Sequence, residues 1–162
     1  MKQFISHSEN ETLAFSKKFA SYLRKGDIII LSGSLGSGKT KFTEGILSYF
    51  GLESEISSPT FTIVNEYTKN DICIFHFDVY RLQELDEFFA IGGEEYLDKG
   101  ICIIEWGELI EDILPDNYLK INFLKDSNNE NIRILDFIPY GNHFNTLLEN
   151  QIKPSILYKE ES

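Results

Sequence analysis

The sequence is poor in positively charged residues. Its 162 residues contain 15 Lys and Arg against 26 Asp and Glu, which gives a formal net charge of -11 at pH 7. A protein whose main task is to grip nucleic acid needs the opposite balance, or a clear basic stripe along the chain. The sequence has neither feature, so we do not expect it to bind nucleic acid directly.

Long apolar segments are also missing. Residues 1–7 lack the apolar core of a secretory signal peptide, and no run approaches the about 18 apolar residues that cross a membrane. We therefore expect a cytoplasmic protein that has no membrane partner. Repeats and low-complexity segments are absent as well, which favours one domain over residues 1–152, followed by a polar tail, 153–162, that we expect to be disordered.

Cysteine is scarce. The two cysteines, Cys73 and Cys102, are far apart in the chain, and each lies in a short apolar run that is typical of a buried strand. This pattern predicts two core thiols rather than a disulfide or a metal site.

Residues 33–40 carry the clearest chemical signal and read Gly-Ser-Leu-Gly-Ser-Gly-Lys-Thr. They match the phosphate-binding pattern G-x-x-x-x-G-K-[ST], and they lie between the apolar run Ile28–Leu31 and a stretch compatible with a helix, as that loop requires. A glycine-rich surface turn is the alternative. The flanking strand and helix favour a P-loop that binds ATP or GTP.

The residue types in this loop suit a triphosphate. Gly33, Gly36 and Gly38 allow bare backbone N–H groups and the positive end of a helix to approach the anion. Lys39 can reach the β and γ phosphates, and the Thr40 hydroxyl is placed to ligate the bridging Mg²⁺.

Strand and helix signals alternate along the chain. The periodicity predicts helices over residues 9–25, 38–50, 84–90, 107–114 and 144–151, and strands over residues 27–32, 60–67, 72–80, 101–105, 118–125 and 131–138. Residues 68–71 join two of these strands in a predicted β-hairpin. We expect an α/β, P-loop NTPase-like fold with a parallel central sheet, antiparallel flanking strands and helices on both faces.

A second candidate element is the run Ile103-Ile104-Glu105-Trp106, which places an acid at the end of a buried strand. It resembles a Walker B element. Glu105 can hold Mg²⁺ directly or through water, or it can orient the attacking water, and these roles remain open. A solvated strand-end carboxylate is the alternative.

A third candidate is the segment 76–81, where alternation puts His76, Asp78 and Tyr80 on one face of a strand. Asp78 can serve as a metal ligand, a water-orienting base or a partner contact, and Arg81 can contact phosphate or a partner. A strand edge with solvated polar residues is the alternative.

The hydroxyl-rich loop 57–60 occupies the place of a switch loop. Thr60 in this loop can sense the γ phosphate or simply cap a turn.

Taken together, the order of these motifs resembles the TsaE (YjeE) family of P-loop ATPases of bacterial tRNA threonylcarbamoyladenosine synthesis. The resemblance covers about residues 9–115 and is carried by segments 33–40, 58–62, 65–67, 76–82 and 104–106. It implies that residues 36–41 wrap the phosphates, namely Gly36, Ser37, Gly38, Lys39, Thr40 and Lys41. It also implies that Thr40 and Glu105 hold Mg²⁺, that Asp78 and Trp106 belong to the nucleotide site, and that Glu9 lies near the base. Gly107 departs from the family pattern, since many members have another residue there.

The resemblance further implies that the protein does not modify tRNA itself. It implies an ATPase whose activity is weak alone and depends on the partner proteins TsaB and TsaD. ATP binding and hydrolysis would reset the complex with these partners, and the protein would reach tRNA only through that complex. The acidic charge agrees with this division of labour.

Two other functions stay open. A small-molecule kinase also pairs a P-loop with strand-end acids, although residues 107–126 contain no Arg for a lid. A nucleotide-gated binding module without useful hydrolysis is the second alternative, because Glu105 can be a ligand rather than a catalyst. A regulatory GTPase is disfavoured, since residues 68–71 have the wrong order for a guanine-reading Asn-Lys-x-Asp motif.

Overall fold

The computed structural model describes residues 2–53, 63–80, 82–151 and 158–159. The predictions for the loop 57–60 and for Arg81 lie outside these residues.

Strands and helices alternate along the described part of the chain. The strands are β1 Lys2–Ser6, β2 Ile28–Gly33, β3 Val64–Lys69, β4 Ile72–Asp78, β5 Ile101–Glu105, β6 Tyr118–Lys125, β7 Arg133–Tyr140 and β8 Tyr158–Lys159. The α-helices are α1 Glu9–Ala20, α2 Lys39–Tyr49, α3 Leu85–Ala90, α4 Gly93–Tyr96 and α5 Asn142–Thr146. A 3-10 helix covers Gly107–Ile113, and a π-helical turn covers Leu147–Gln151.

Within the described residues, eight strands form one sheet in the order β3-β4-β5-β2-β6-β7-β1-β8. The central strands β4, β5, β2 and β6 run parallel, whereas the strands on either side pair antiparallel. The carboxyl ends of the four parallel strands therefore meet at one edge of the sheet, which is where α/β proteins bind ligands. The predicted fold class and the hairpin of β3 and β4 are confirmed.

Helices cover both faces of the sheet because its central strands are apolar on both sides. On one face, Phe19 of α1 and Phe42 of α2 pack in a core with Ile29 and Ile103. On the other face, Phe88 of α3 packs in a second core with Ile30 and Ile104. The buried Cys102 lies in β5 and the half-buried Cys73 in β4, and both are free thiols.

The structure differs from the sequence predictions mainly at element ends. Strand β4 ends at Asp78, so Tyr80 does not continue the strand face of His76 and Asp78, and Tyr80 is 69% exposed. The predicted helix 107–114 is a 3-10 helix over Gly107–Ile113, between Trp106 in the left-handed region and Leu114 in the extended region.

The two terminal strands, β1 and β8, are not among the strands predicted from the sequence. Strand β1 pairs with β7 from the far end of the chain, and two residues of the predicted tail, Tyr158–Lys159, pair with β1. The local residue pattern of a segment does not show which distant strand it will pair with. No helix in the described ranges is long and apolar enough to cross a membrane.

Candidate functional site

A cleft of about 760 Å³ opens at the edge where the parallel strands end. Four parts of the chain line it: the start of α1, the loop between β2 and α2, the ends of β4 and β5, and the β6–β7 hairpin. The lining residues are His7, Ser8, Glu9, Asn10, Thr12, Leu35, Gly36, Ser37, Gly38, Lys39, Thr40, Lys41, Asp78, Glu105, Trp106, Glu130, Asn131 and Arg133. This volume lies within the range of small-molecule and cofactor sites.

The loop between β2 and α2 lies against the sheet so closely that only glycine fits at its start. A Cβ added at Gly33 would lie 2.7 Å from the carbonyl oxygen of Phe123 in β6. Gly38, the residue before α2, has φ 110°, which other residues rarely adopt. The first turn of α2 lines the cleft. Its backbone N–H groups have no helical carbonyl to bond.

The side chain of Lys39 is folded back inside this loop. Its ammonium donates a hydrogen bond to the carbonyl oxygen of Gly33 and lies 4.2 Å from the centre of the Trp106 ring. Burial lowers the pKa of Lys39 below its ordinary value of 10.5, against the opposing effect of the carboxylates of Glu105, Asp78 and Glu108. The cleft thus holds a buried cation close to a positive helix end.

Two carboxylates stand side by side at the ends of neighbouring strands. Asp78 of β4 and Glu105 of β5 are register partners, and Leu31, just before the P-loop, is the partner of Glu105 on its other side. Glu105 is buried, and its Oε2 lies 2.8 Å from Nε2 of the buried His76. His76 of β4 is therefore paired with Glu105 of the neighbouring strand.

The residue after Glu105 turns the chain sharply. Trp106 has φ 60°, an uncommon conformation for a bulky residue. Its backbone N–H donates to the carbonyl oxygen of Leu31, and its ring packs against Tyr80 with the centroids 5.1 Å apart. This turn directs the indole toward Lys39 and over the floor of the cleft.

The start of α1 forms the opposite wall. The Ser8 hydroxyl caps the helix by accepting a hydrogen bond from the Glu11 N–H, at 3.1 Å. The Glu11 carboxylate in turn accepts a hydrogen bond from the His7 N–H. These contacts fix the first turn, and with it Glu9, at the rim of the cleft.

Of the described residues that the sequence predicts for the nucleotide and Mg²⁺ site, ten line this cleft. They are Glu9, Gly36, Ser37, Gly38, Lys39, Thr40, Lys41, Asp78, Glu105 and Trp106. The exception is Gly33, the last residue of β2, whose carbonyl oxygen accepts the hydrogen bond from Lys39. The roles of these residues remain predictions.

Sequence reasoning missed the contribution of the β6–β7 hairpin. Arg133 and Asn131 lie in the cleft because β6 runs beside β2 and delivers the hairpin to the P-loop. These two residues belong to no recognisable motif. The strand order that brings them to the cleft cannot be predicted from a local sequence pattern.

Known proteins resemble this chain over the segment that contains the cleft. The family model described as "Threonylcarbamoyl adenosine biosynthesis protein TsaE" matches residues 6–134, which include every cleft residue. The chain belongs to the TsaE family.

Several family members are similar to this chain over most of its length. A protein of Bacillus subtilis named tRNA threonylcarbamoyladenosine biosynthesis protein TsaE is 38% identical over 152 residues, covering 92% of this chain and 94% of the relative. A Treponema pallidum protein of the same name is 37% identical over 129 residues, covering 78% and 95% of the two chains. The crystal structure of Bacillus subtilis YdiB superposes with a TM-score of 0.72 at 33% identity, covering 92% of this chain and 94% of that one.

Proposed function

We propose that this TsaE-family protein binds and hydrolyses ATP with Mg²⁺ in the synthesis of tRNA N6-threonylcarbamoyladenosine, acting with TsaB and TsaD. One observation carries the proposal: the cleft unites the P-loop, the buried Lys39 and the two strand-end carboxylates Asp78 and Glu105. These are the groups that phosphoryl chemistry on a nucleotide needs.

The P-loop fits a polyphosphate. The Ser37 Oγ is buried and has no hydrogen-bond partner among the described residues, so it is free to donate to an anion in the loop. The helix N-terminus at Lys39 and the Lys39 ammonium add positive potential at the same place. Lys39 would bind the β and γ phosphates in exchange for the carbonyl oxygen of Gly33.

The donors also fit Mg²⁺ in the form that nucleotide sites use. Within the described residues, no group of three or more His, Cys, Asp or Glu side chains converges to hold a metal. Mg²⁺ at nucleotide sites is typically held by one or two protein oxygens together with phosphates and water. Thr40 and Glu105 would supply the protein oxygens here, and the ion would neutralise charge on the phosphates.

The partners supply what this chain lacks. Its net charge of -11 is unsuited to tRNA binding, so tRNA is reached through the complex. We expect the chain alone to hydrolyse ATP slowly, as its family resemblance implies. A partner that biases the site toward a competent arrangement would raise this rate.

The test is a reconstitution with TsaB, TsaD, tRNA, the threonylcarbamoyl donor and ATP, in which modified tRNAs are counted per complex. We expect multiple turnovers with wild type and at most one with Lys39→Ala, while Lys99→Ala at the opposite edge of the sheet behaves like wild type. Turnover that does not depend on the added protein would refute the proposal. Full turnover with a non-hydrolysable ATP analogue would instead favour a nucleotide-gated binding module.

A further inference from the structure

Two positive charges stand directly opposite each other at the end of the β6–β7 hairpin. Lys125 of β6 and Arg133 of β7 are register partners in this antiparallel pair. Like charges at such positions destabilise strand pairing. Strand pairing therefore does not explain why a chain with only 15 Lys and Arg places two of them here.

Both cations reach across to the P-loop. Lys125 Nζ donates to the carbonyl oxygen of Leu35, at 3.0 Å, and Arg133 Nη2 donates to the carbonyl oxygen of Gly36, at 3.3 Å. Arg133 is itself anchored by the carbonyl oxygens of Glu130 and Ile132. Two adjacent peptide groups of the loop are thus bonded to one hairpin.

These contacts determine which way the loop's peptide groups point. In a trans peptide the N–H points opposite to the C=O of the preceding residue. A Leu35 carbonyl that faces Lys125 therefore turns the Gly36 N–H away from the hairpin. The Ser37 N–H is engaged within the loop by the carbonyl oxygen of Ser34, at 3.1 Å.

We propose that Lys125 and Arg133 form a cationic clamp that positions the P-loop. The clamp holds the carbonyl oxygens of Leu35 and Gly36, which would repel phosphate, and leaves the Gly36 N–H directed toward an incoming anion. The inference rests on the proposed function, since it takes the cleft to bind a nucleotide. Lys125 and Arg133 are positioning residues, because they act through the loop backbone.

The first test needs no nucleotide. We expect the NMR order parameters of the Gly36 and Ser37 amides to be near the rigid value of about 0.85 in wild type, and to fall toward about 0.6 in Lys125→Met and Arg133→Met. Lys99→Met, an exposed lysine at the opposite edge of the sheet, serves as the control. Lys125→Arg keeps a charged donor at this position, so we expect its order parameters for the two amides to equal those of wild type.

The second test is calorimetric binding of Mg-ADP and of AMP to the same variants. Losing a charged hydrogen bond that fixes the loop is expected to weaken ADP binding about tenfold, with a smaller effect on AMP, which lacks the β phosphate. Unchanged order parameters in both methionine variants would overturn the clamp, even if ADP binding fell, since Arg133 would then act directly on the ligand.

The two proposals fail in different ways. If wild type binds no ATP or ADP, the proposed function is wrong, and the order parameters still decide whether the clamp exists. If wild type binds nucleotide and the clamp variants keep wild-type order parameters, only the clamp is wrong. Lys125 is exposed, so Lys125→Met is the variant that keeps the test informative should Arg133→Met fail to fold.

Discussion

His76 Nε2 and Glu105 Oε2 are 2.8 Å apart and join the ends of two parallel strands beneath the cleft. Both residues are 8% exposed. A buried carboxylate needs partners, and here the partner is an imidazole on the neighbouring strand. The contact fixes the rotamer of Glu105 and therefore the direction in which its other oxygen points.

The first prediction concerns this contact. We expect His76→Leu to lower kcat for ATP hydrolysis by about tenfold, because groups that orient a catalytic or metal-binding carboxylate have effects of this size. His76→Gln keeps an N–H donor and is expected to recover part of the loss. The measurement is steady-state ATPase activity in the complex, together with ATP affinity. If the leucine variant lost affinity and kept kcat, His76 would not act through Glu105.

The second prediction concerns Lys39, whose pKa is lowered by burial. A bound phosphate would raise the pKa of Lys39 again. Once the pH reaches the lowered pKa of Lys39 in the free protein, ADP binding must therefore be accompanied by proton uptake at Lys39. We therefore expect ADP affinity to fall as the pH rises toward 10.5, the ordinary pKa of lysine.

Calorimetry at a series of pH values up to 10.5, in two buffers of different ionisation enthalpy at each pH, measures this uptake. Lys39→Arg is the control, because a guanidinium stays charged throughout this range and takes up no proton. Equal uptake in wild type and in the arginine variant would show that another group is responsible.

The third prediction follows from burial of Cys102, which raises the pKa of its thiol from 9.0 to about 12. Between these two pH values the unfolded thiol is ionised while the folded thiol is not. The free energy of unfolding must therefore fall as the pH rises above 9.0, by at most about 1.4 kcal/mol per pH unit from this group.

Urea denaturation of wild type and Cys102→Ala across this pH range isolates the effect, since the alanine variant is expected to have the shallower pH dependence. In native Cys73→Ser, the remaining thiol should also react slowly with a disulfide reagent. Rapid labelling of that folded variant would contradict the burial argument.

The fourth prediction tests how closely α1 packs on α2. A Cβ added at Gly45 would lie 2.6 Å from the carbonyl oxygen of Leu13, and closer still to the Ser16 Oγ. We expect Gly45→Ala to lower the free energy of unfolding by about 1–3 kcal/mol, because the helices must separate to admit the methyl group.

Helix propensity alone would give the opposite sign for this change, since alanine favours a helix over glycine by about 1 kcal/mol. Ser48→Ala on the same helix is the control and should have a small effect. Denaturant unfolding of the three proteins distinguishes the two arguments.

Much of the site could be predicted because its parts are local in sequence. The P-loop is a continuous segment, and Asp78 and Glu105 each follow an apolar strand. The alternation of strands and helices then predicts a parallel sheet, whose strand ends lie together at one edge. Arg133 could not be found in this way, because its place depends on β6 lying beside β2.

The sequence by itself determined the fold class, the P-loop and the acids at the strand ends, because each rests on a short pattern of residue types. Only the tertiary structure decided which side chains meet. It paired His76 with Glu105, folded Lys39 against Trp106, and brought Lys125 and Arg133 to the carbonyl groups of the loop. Such contacts depend on strand order and register, which come from the packing of the whole sheet and not from any one segment.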